Sequence, residues 1–118
     1  MSEAALNRGG ETPTSSFDSA AATRILATLA QPTRMAVFLQ VVASGPDGAP
    51  SASLASTLRV TGSALTLHLR ALEAAELIEV RIRRQPRRHV MVVARVDRCA
   101  QLGQWFAEHC GQAGWSHP

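Results

Sequence analysis

Apolar positions recur along this chain at two periods, and the change from one to the other marks out its elements. Over residues 17–29 the alanine-rich run FDSAAATRILATL sets Ala20, Ala21, Ile25 and Leu29 at helical spacing, with Ser16 placed as the N-cap. Gln31-Pro32 interrupts it, and a proline there suits the first turn of a second helix over 33–43. In that helix Met35, Phe38, Leu39 and Val42 recur at steps of three, one and three, the spacing of one face. The run SGPDGAP at 44–50 is turn chemistry throughout and reads as a loop. Ser51 caps a short third helix over 52–58, and after Arg59-Val60 a fourth helix over 62–75 is capped by Thr61, with Leu65, Leu69 and Leu72 as its buried stripe.

Beyond residue 76 the period falls to two. Ile78, Val80 and Ile82 alternate with Glu79, Arg81 and Arg83 in a strand over 77–83, and the β-branched run HVMVVAR at 89–95 reads as the strand that returns. Asp97 opens a last helix that runs to about Cys110 and stops at Gly111. The order is ααααββα: a mainly α chain in which a helix-turn-helix is followed by a β-hairpin, the plan of a winged helix-turn-helix, with an extra helix at each end.

A length of 118 residues allows one domain with a real core. The pattern assigns that domain to 17–112, a flexible tail to 1–16 and a second tail to 113–118. The first sixteen residues, MSEAALNRGGETPTSS, have no apolar stretch for a signal peptide, so the expected location is the cytoplasm, without a membrane partner. Two cysteines do not make a disulfide framework, which suits a reducing compartment. The final Trp115-Ser116-His117-Pro118 is similar to the start of a streptavidin-binding affinity tag and is set apart from the fold and from any metal site.

Charge adds the first chemistry. Every basic residue is an arginine, twelve in all against nine acidic residues, and the net charge of +3 matters less than its distribution. Arg81, Arg83, Arg84, Arg87 and Arg88 fall within eight residues on the expected hairpin. Such a cluster can be an ordinary solvated edge, but next to a helix of suitable composition it forms a phosphate grip. The fourth helix supplies that composition: Thr61, Gly62 and Ser63 at its start permit close approach, and Ser63, Thr66, Leu67 and Arg70 project from the side opposite the leucine stripe. Leu67 is unusual on a solvent face, and contact with a thymine methyl would account for it. The residues thus point to double-stranded DNA as the partner. No paired carboxylates in a cleft, Gly-rich phosphate loop or Ser/His/Asp arrangement can be placed, so an enzyme is not expected.

Two segments, Gln31-Pro32-Thr33-Arg34 and the run from Ala64 to Ile78 (ALTLHLRALEAAELI), resemble the ArsR/SmtB family of bacterial winged-helix repressors. In that family a "DPTR"-like start of the second helix and an "S-x-H-L-K-x-L-x-x-A-G-L-V"-like recognition helix recur, and the resemblance covers roughly residues 20–110. It implies a homodimeric transcriptional repressor, paired through its first and last helices, that leaves its operator when an effector binds. His68 falls on the family's histidine, with packing or backbone contact rather than catalysis as its implied role. Glu76 stands where the family usually has glycine, and Leu67 where it has a polar or aromatic residue, so helix end and operator sequence are this chain's own.

The family's metal-binding cysteines at the third helix have no counterpart in Pro50-Ser51-Ala52-Ser53-Leu54. A second family site on the last helix, with the spacing Asp-x-His-x10-His-x-x-Glu, becomes Asp97-x-Cys99-x10-Cys110-x-x-Ala113 here, with thiols replacing both histidines. Cys99, Leu102, Phe106 and Cys110 share one helix face, and about 16 Å of helix separates the two cysteines. They cannot bond within one chain, but in an antiparallel pair of last helices Cys99 of one chain would face Cys110 of the other. That arrangement suits a thiol sensor responding to an oxidant, a trivalent arsenical or another soft metal ion, with Asp97, Cys99, His109 and Cys110 as weaker metal candidates. A protonated His109 would lower the pKa of Cys110. Two alternatives stay open: a metal-independent repressor whose cysteines are packing groups, and a winged-helix module that grips an acidic protein.

Overall fold

The computed structural model describes residues 17–111, so the two expected tails and Gln112 lie outside the described residues. Eight elements follow one another: α1 (Ser19–Leu29), α2 (Pro32–Ala43), β1 (Ala49–Pro50), α3 (Ser51–Leu58), α4 (Gly62–Ala74), β2 (Ile78–Arg83), β3 (His89–Ala94) and α5 (Val96–Gly111). The winged helix-turn-helix expected from the sequence is present, with one addition. Residues 44–50 are not all loop, because Ala49 and Pro50 form a two-residue strand antiparallel to β3, opposite Val92 and Met91. The sheet therefore has three strands in the order β1-β3-β2. Proline is tolerated in β1 because that strand is an edge, and so short a strand has no periodicity for a sequence reading to find.

Helix starts follow local chemistry. Asp18 accepts from the Ala21 N–H at 2.9 Å, so α1 begins at Ser19, two residues later than expected. Gln31 caps α2 by accepting from the Arg34 N–H at 2.7 Å. The Arg34 guanidinium reaches back to the Thr28 carbonyl at 3.2 Å and ties the end of α1 to the start of α2. Thr61 caps α4 as expected, accepting from the Ala64 N–H at 3.1 Å. Ser51 is the first residue of α3 rather than its cap, and Pro50 occupies the cap position without a side-chain bond.

The core gathers Ile25 from α1, Val37, Phe38 and Val41 from α2, Leu54 from α3, Leu65, Leu69 and Leu72 from α4, and Leu77, Ile78 and Val92 from the hairpin. In α4 the buried leucines are the expected three. In α2 the buried face is Val37, Phe38 and Val41; of the face expected from the sequence only Phe38 is buried, while Met35, Leu39 and Val42 are exposed. α2 is apolar on most of its circumference, so two stripes of similar hydrophobicity overlap and periodicity alone cannot choose between them. α5 contributes no fully buried residue; Leu102 packs partly against the core, whereas Val96 and Phe106 face outward.

Both helices of the helix-turn-helix end in the same way. At the end of α3 the Val60 N–H donates to Ala55 and the Arg59 N–H to Ser56, and at the end of α4 Leu77 donates to Leu72 and Glu76 to Glu73. These paired bonds are Schellman turns, which need a left-handed residue, and Arg59 (φ 57°) and Glu76 (φ 61°) fill that role instead of glycine. The conformation costs an L-residue roughly 1 kcal/mol. Gly48 (φ 80°) is a different case: a Cβ there would lie 2.3 Å from the Val92 carbonyl oxygen, in the seam between β1 and β3.

Two substitutions check this account by urea denaturation. Arg59→Gly should raise stability by at most about 0.5 kcal/mol, the left-handed strain relieved less the greater entropy of the unfolded glycine. Gly48→Ala should lower it by on the order of 2 kcal/mol or more, since backbone strain and a backbone clash coincide.

Candidate nucleic-acid interface

With Leu65, Leu69 and Leu72 turned inward, the opposite side of α4 is bare. Thr61, Gly62, Ser63, Thr66, Leu67 and Arg70 are all exposed, and Leu67 is 63% accessible. Ser63, Leu67 and Arg70 fall within about 60° of one another around the helix, at about 100° per residue. His68 is rotated about 100° from Leu67, half-buried, with its Nδ1 enclosed and without a hydrogen-bond partner among the described residues. The family histidine thus belongs to the flank of the helix and not to its bare side.

β2 and β3 pair from Ile78↔Ala94 to Arg83↔His89, which carries the hairpin away from the core. Burial fades along it: Ile78 is buried, Val80 half-buried and Ile82 exposed. Arg81, Arg83, Arg84, Arg87 and Arg88 are all exposed on the far half. Arg81 is paired with Glu79 on its own strand at 2.8 Å. Among the described residues the other four have no carboxylate partner, so their charge is uncompensated. A convex helix of small and hydroxyl-bearing side chains beside a projecting arginine hairpin matches a groove with flanking phosphates.

The effector candidates do not converge within one chain. Cys99 and Cys110 are free thiols, both exposed, at opposite ends of α5. Asp97 is held by Arg95 at 3.0 Å. His109 turns back along the helix, its Nδ1 2.8 Å from the Trp105 carbonyl and its ring 4.2 Å from the Trp105 ring, so it is engaged there. Among the described residues no three His, Cys, Asp or Glu side chains gather where a metal ion could be held. Partial burial, with the Asp97 charge adding to it, raises the Cys99 pKa above the ordinary thiol value.

One residue that sequence reasoning passed over joins the two halves. Arg98 of α5 is mostly buried, its guanidinium 5.2 Å above the Phe17 ring, bonded to Gln101 at 2.9 Å and 3.8 Å from the Glu76 carboxylate at the end of α4. Nothing in the local sequence separates Arg98 from eleven other arginines; only the fold brings it to Glu76.

Known proteins bear on this geometry. A helix-turn-helix domain family matches residues 29–81. No curated protein matches the chain by sequence. Among solved structures, an ArsR-like transcriptional regulator from Rhodococcus sp. RHA1 is similar at a TM-score of 0.68 and 22% identity, over 80% of this chain and 84% of that one. An ArsR family transcriptional regulator gives 0.65 and 23%, over 86% and 98%. Reduced HlyU from Vibrio cholerae N16961 gives 0.57 and 23%, over 78% and 92%. No single described helix is long and apolar enough to cross a membrane, and α1 and α2, apolar enough together, meet at 101°. The helix-turn-helix match and the architecture around it show that the chain has a winged helix-turn-helix fold, similar to that of these regulators.

Proposed function

We propose that this protein is a homodimeric transcriptional repressor that holds double-stranded DNA with α4 and the β2–β3 wing. The observation that carries the reading is the bare Ser63–Leu67–Arg70 side of α4 next to four wing arginines that have no carboxylate partner among the described residues. Side chains on α4 enter the major groove, with Thr61, Gly62 and Thr66 at its entrance, while two or three of the wing arginines Arg81, Arg83, Arg84, Arg87 and Arg88 meet phosphates on either side. The arginine fork suits phosphate oxygens, and release of counterions makes such a grip salt-dependent.

Pairing through α1 and α5 is supported by what those helices leave uncovered: Leu26 on α1, Val96 and Phe106 on α5. Large apolar side chains aligned on an amphipathic helix with no buried residue of its own call for a partner surface. In an antiparallel α5 pair, Cys99 of one chain meets Cys110 of the other. Two such thiol pairs would take an oxidant or a trivalent arsenical and release the operator. One observation favours the other reading, in which the cysteines only pack: the raised pKa of Cys99 reduces its thiolate, the reactive form. The assigned domain remains 17–112, and the cytoplasm the compartment.

Four measurements check these statements. Fluorescence anisotropy with duplex DNA should give a slope of log K against log salt of roughly −4 to −6, for two or three phosphate contacts per protomer. Replacing Arg83, Arg84, Arg87 and Arg88 with alanine should flatten it, whereas an acidic-protein module would be indifferent to duplex competitor. Sedimentation should report twice the 12.6 kDa chain mass, and Phe106→Glu should shift it to one while retaining the helical circular dichroism. The alkylation rate of Cys99 should be low at pH 7 and should keep climbing with pH beyond the range in which an ordinary thiol levels off, because burial and the Asp97 charge raise its pKa. Arsenite or peroxide that releases DNA from the wild type but not from Cys99→Ser or Cys110→Ser supports the thiol switch; release from the double serine variant removes it.

A further inference from the structure

Hydroxyl groups at the start of α4 are already committed. Thr61 Oγ1 accepts from the Ala64 N–H and lies 3.3 Å from Ser63 Oγ, and Thr66 donates its hydroxyl hydrogen to the Gly62 carbonyl at 2.9 Å. A hydroxyl that donates to its own helix has no hydrogen left to give a base acceptor. Thr66 can then only accept from a base, and the middle of the bare side is Ser63, Leu67 and Arg70, at steps of four and three, with an aliphatic side chain at its centre.

Leu67 is the most exposed large hydrophobic among the described residues, at 63%. Its neighbours on that side are a hydroxyl and a guanidinium, so the patch is too small and too polar for a second protein to bury. It contributes little to the fold, and alone it gives nothing to solubility. In the major groove one group on the base edges is apolar, the 5-methyl of thymine. Ser63 to Arg70 rises about 10.5 Å, at about 1.5 Å per residue, the height of about three base steps at 3.4 Å each. Arg70 carries the fork that matches guanine O6 and N7.

The geometry points to Leu67 as a specificity-determining residue that reads a thymine methyl, within about three base pairs of a guanine taken by Arg70 in each half-site. This inference rests on the DNA-reading role of α4 and names what that helix reads.

The test selects duplexes from a random library with the full-length protein, then re-synthesises the enriched pool with deoxyuridine in place of thymidine, which removes only the 5-methyl groups. Wild-type affinity should fall roughly fourfold per half-site, the worth of about one buried methyl-sized group. Leu67→Ala should bind both pools equally, at the weaker affinity, and melt with the wild type because Leu67 is not part of the core. Equal wild-type binding of the two pools, or discrimination that persists in Leu67→Ala, overturns the assignment while leaving DNA reading by α4 intact. Enrichment of no duplex at all overturns both.

Discussion

Leu65, Leu69 and Leu72 bury one side of α4, and the rest of the molecule depends on that contact. A helix can offer a partner only the side its own protein leaves bare, so the direction in which these leucines point decides which residues of α4 face outward. The magnitudes favour this anchor over charge. A fully buried leucine contributes about 1.5–3 kcal/mol, whereas an exposed pair such as Arg81–Glu79 contributes less than about 1 kcal/mol. The arginines of the wing are thus not what holds the wing in place. The hairpin is fixed at its root by Leu77, Ile78 and Val92, which leaves its far half free to carry charge.

Two left-handed turns set the angles between the elements. The connector from α3 to α4 is only a few residues long, and the step from α4 into β2 is as abrupt. Each is made by one backbone reversal, at Arg59 and at Glu76, with both Schellman hydrogen bonds closed. Glycine would do this with less strain. Retaining a side chain at residue 76 has a visible consequence, because its carboxylate lies within reach of Arg98. At residue 59 the structure shows no such return.

The elements legible in advance were those with one dominant signal. Thr61 as a cap, the leucine stripe of α4 and the alternation of β2 each combine a distinctive residue with a clear period, and all three are present. α2 was misread because apolar residues surround most of it. Packing against α1, α3 and α4, which is a property of the assembled chain, selects Val37, Phe38 and Val41. β1 was missed since two residues carry no pattern; it exists because Gly48 lets the chain come close to Val92. For the interface, residue types and spacing placed the bare side of α4 and the arginine cluster. They did not reveal which hydroxyls are tied to the helix or that His68 is turned aside, because both depend on bonds and burial that form only on folding.

The junction of α4, β2 and α5 is where the reading side and the expected pairing helix touch. The Arg95 N–H donates to the Leu77 carbonyl at 2.8 Å, so α5 starts one hydrogen bond away from the turn that ends α4. Three residues on, Arg98 brings a largely buried cation to the same turn, opposite Glu76. The Glu76 carboxylate is more than half exposed and its separation from Arg98 is long, so the direct attraction is small. The backbone bond and the packing of Leu102 are the stiffer part of the joint. A displacement at the start of α5 therefore reaches α4 through the backbone at Leu77 and Arg95, while one confined to the far end, at His109 and Cys110, has a whole helix across which to dissipate. Of the two cysteines, Cys99 lies one residue from Arg98, next to this joint, and its raised pKa lowers the share of its reactive thiolate. In an antiparallel pair each Cys110 would lie beside the other chain's Cys99, so a thiol from the far end of one protomer's α5 would stand at the joint of its partner.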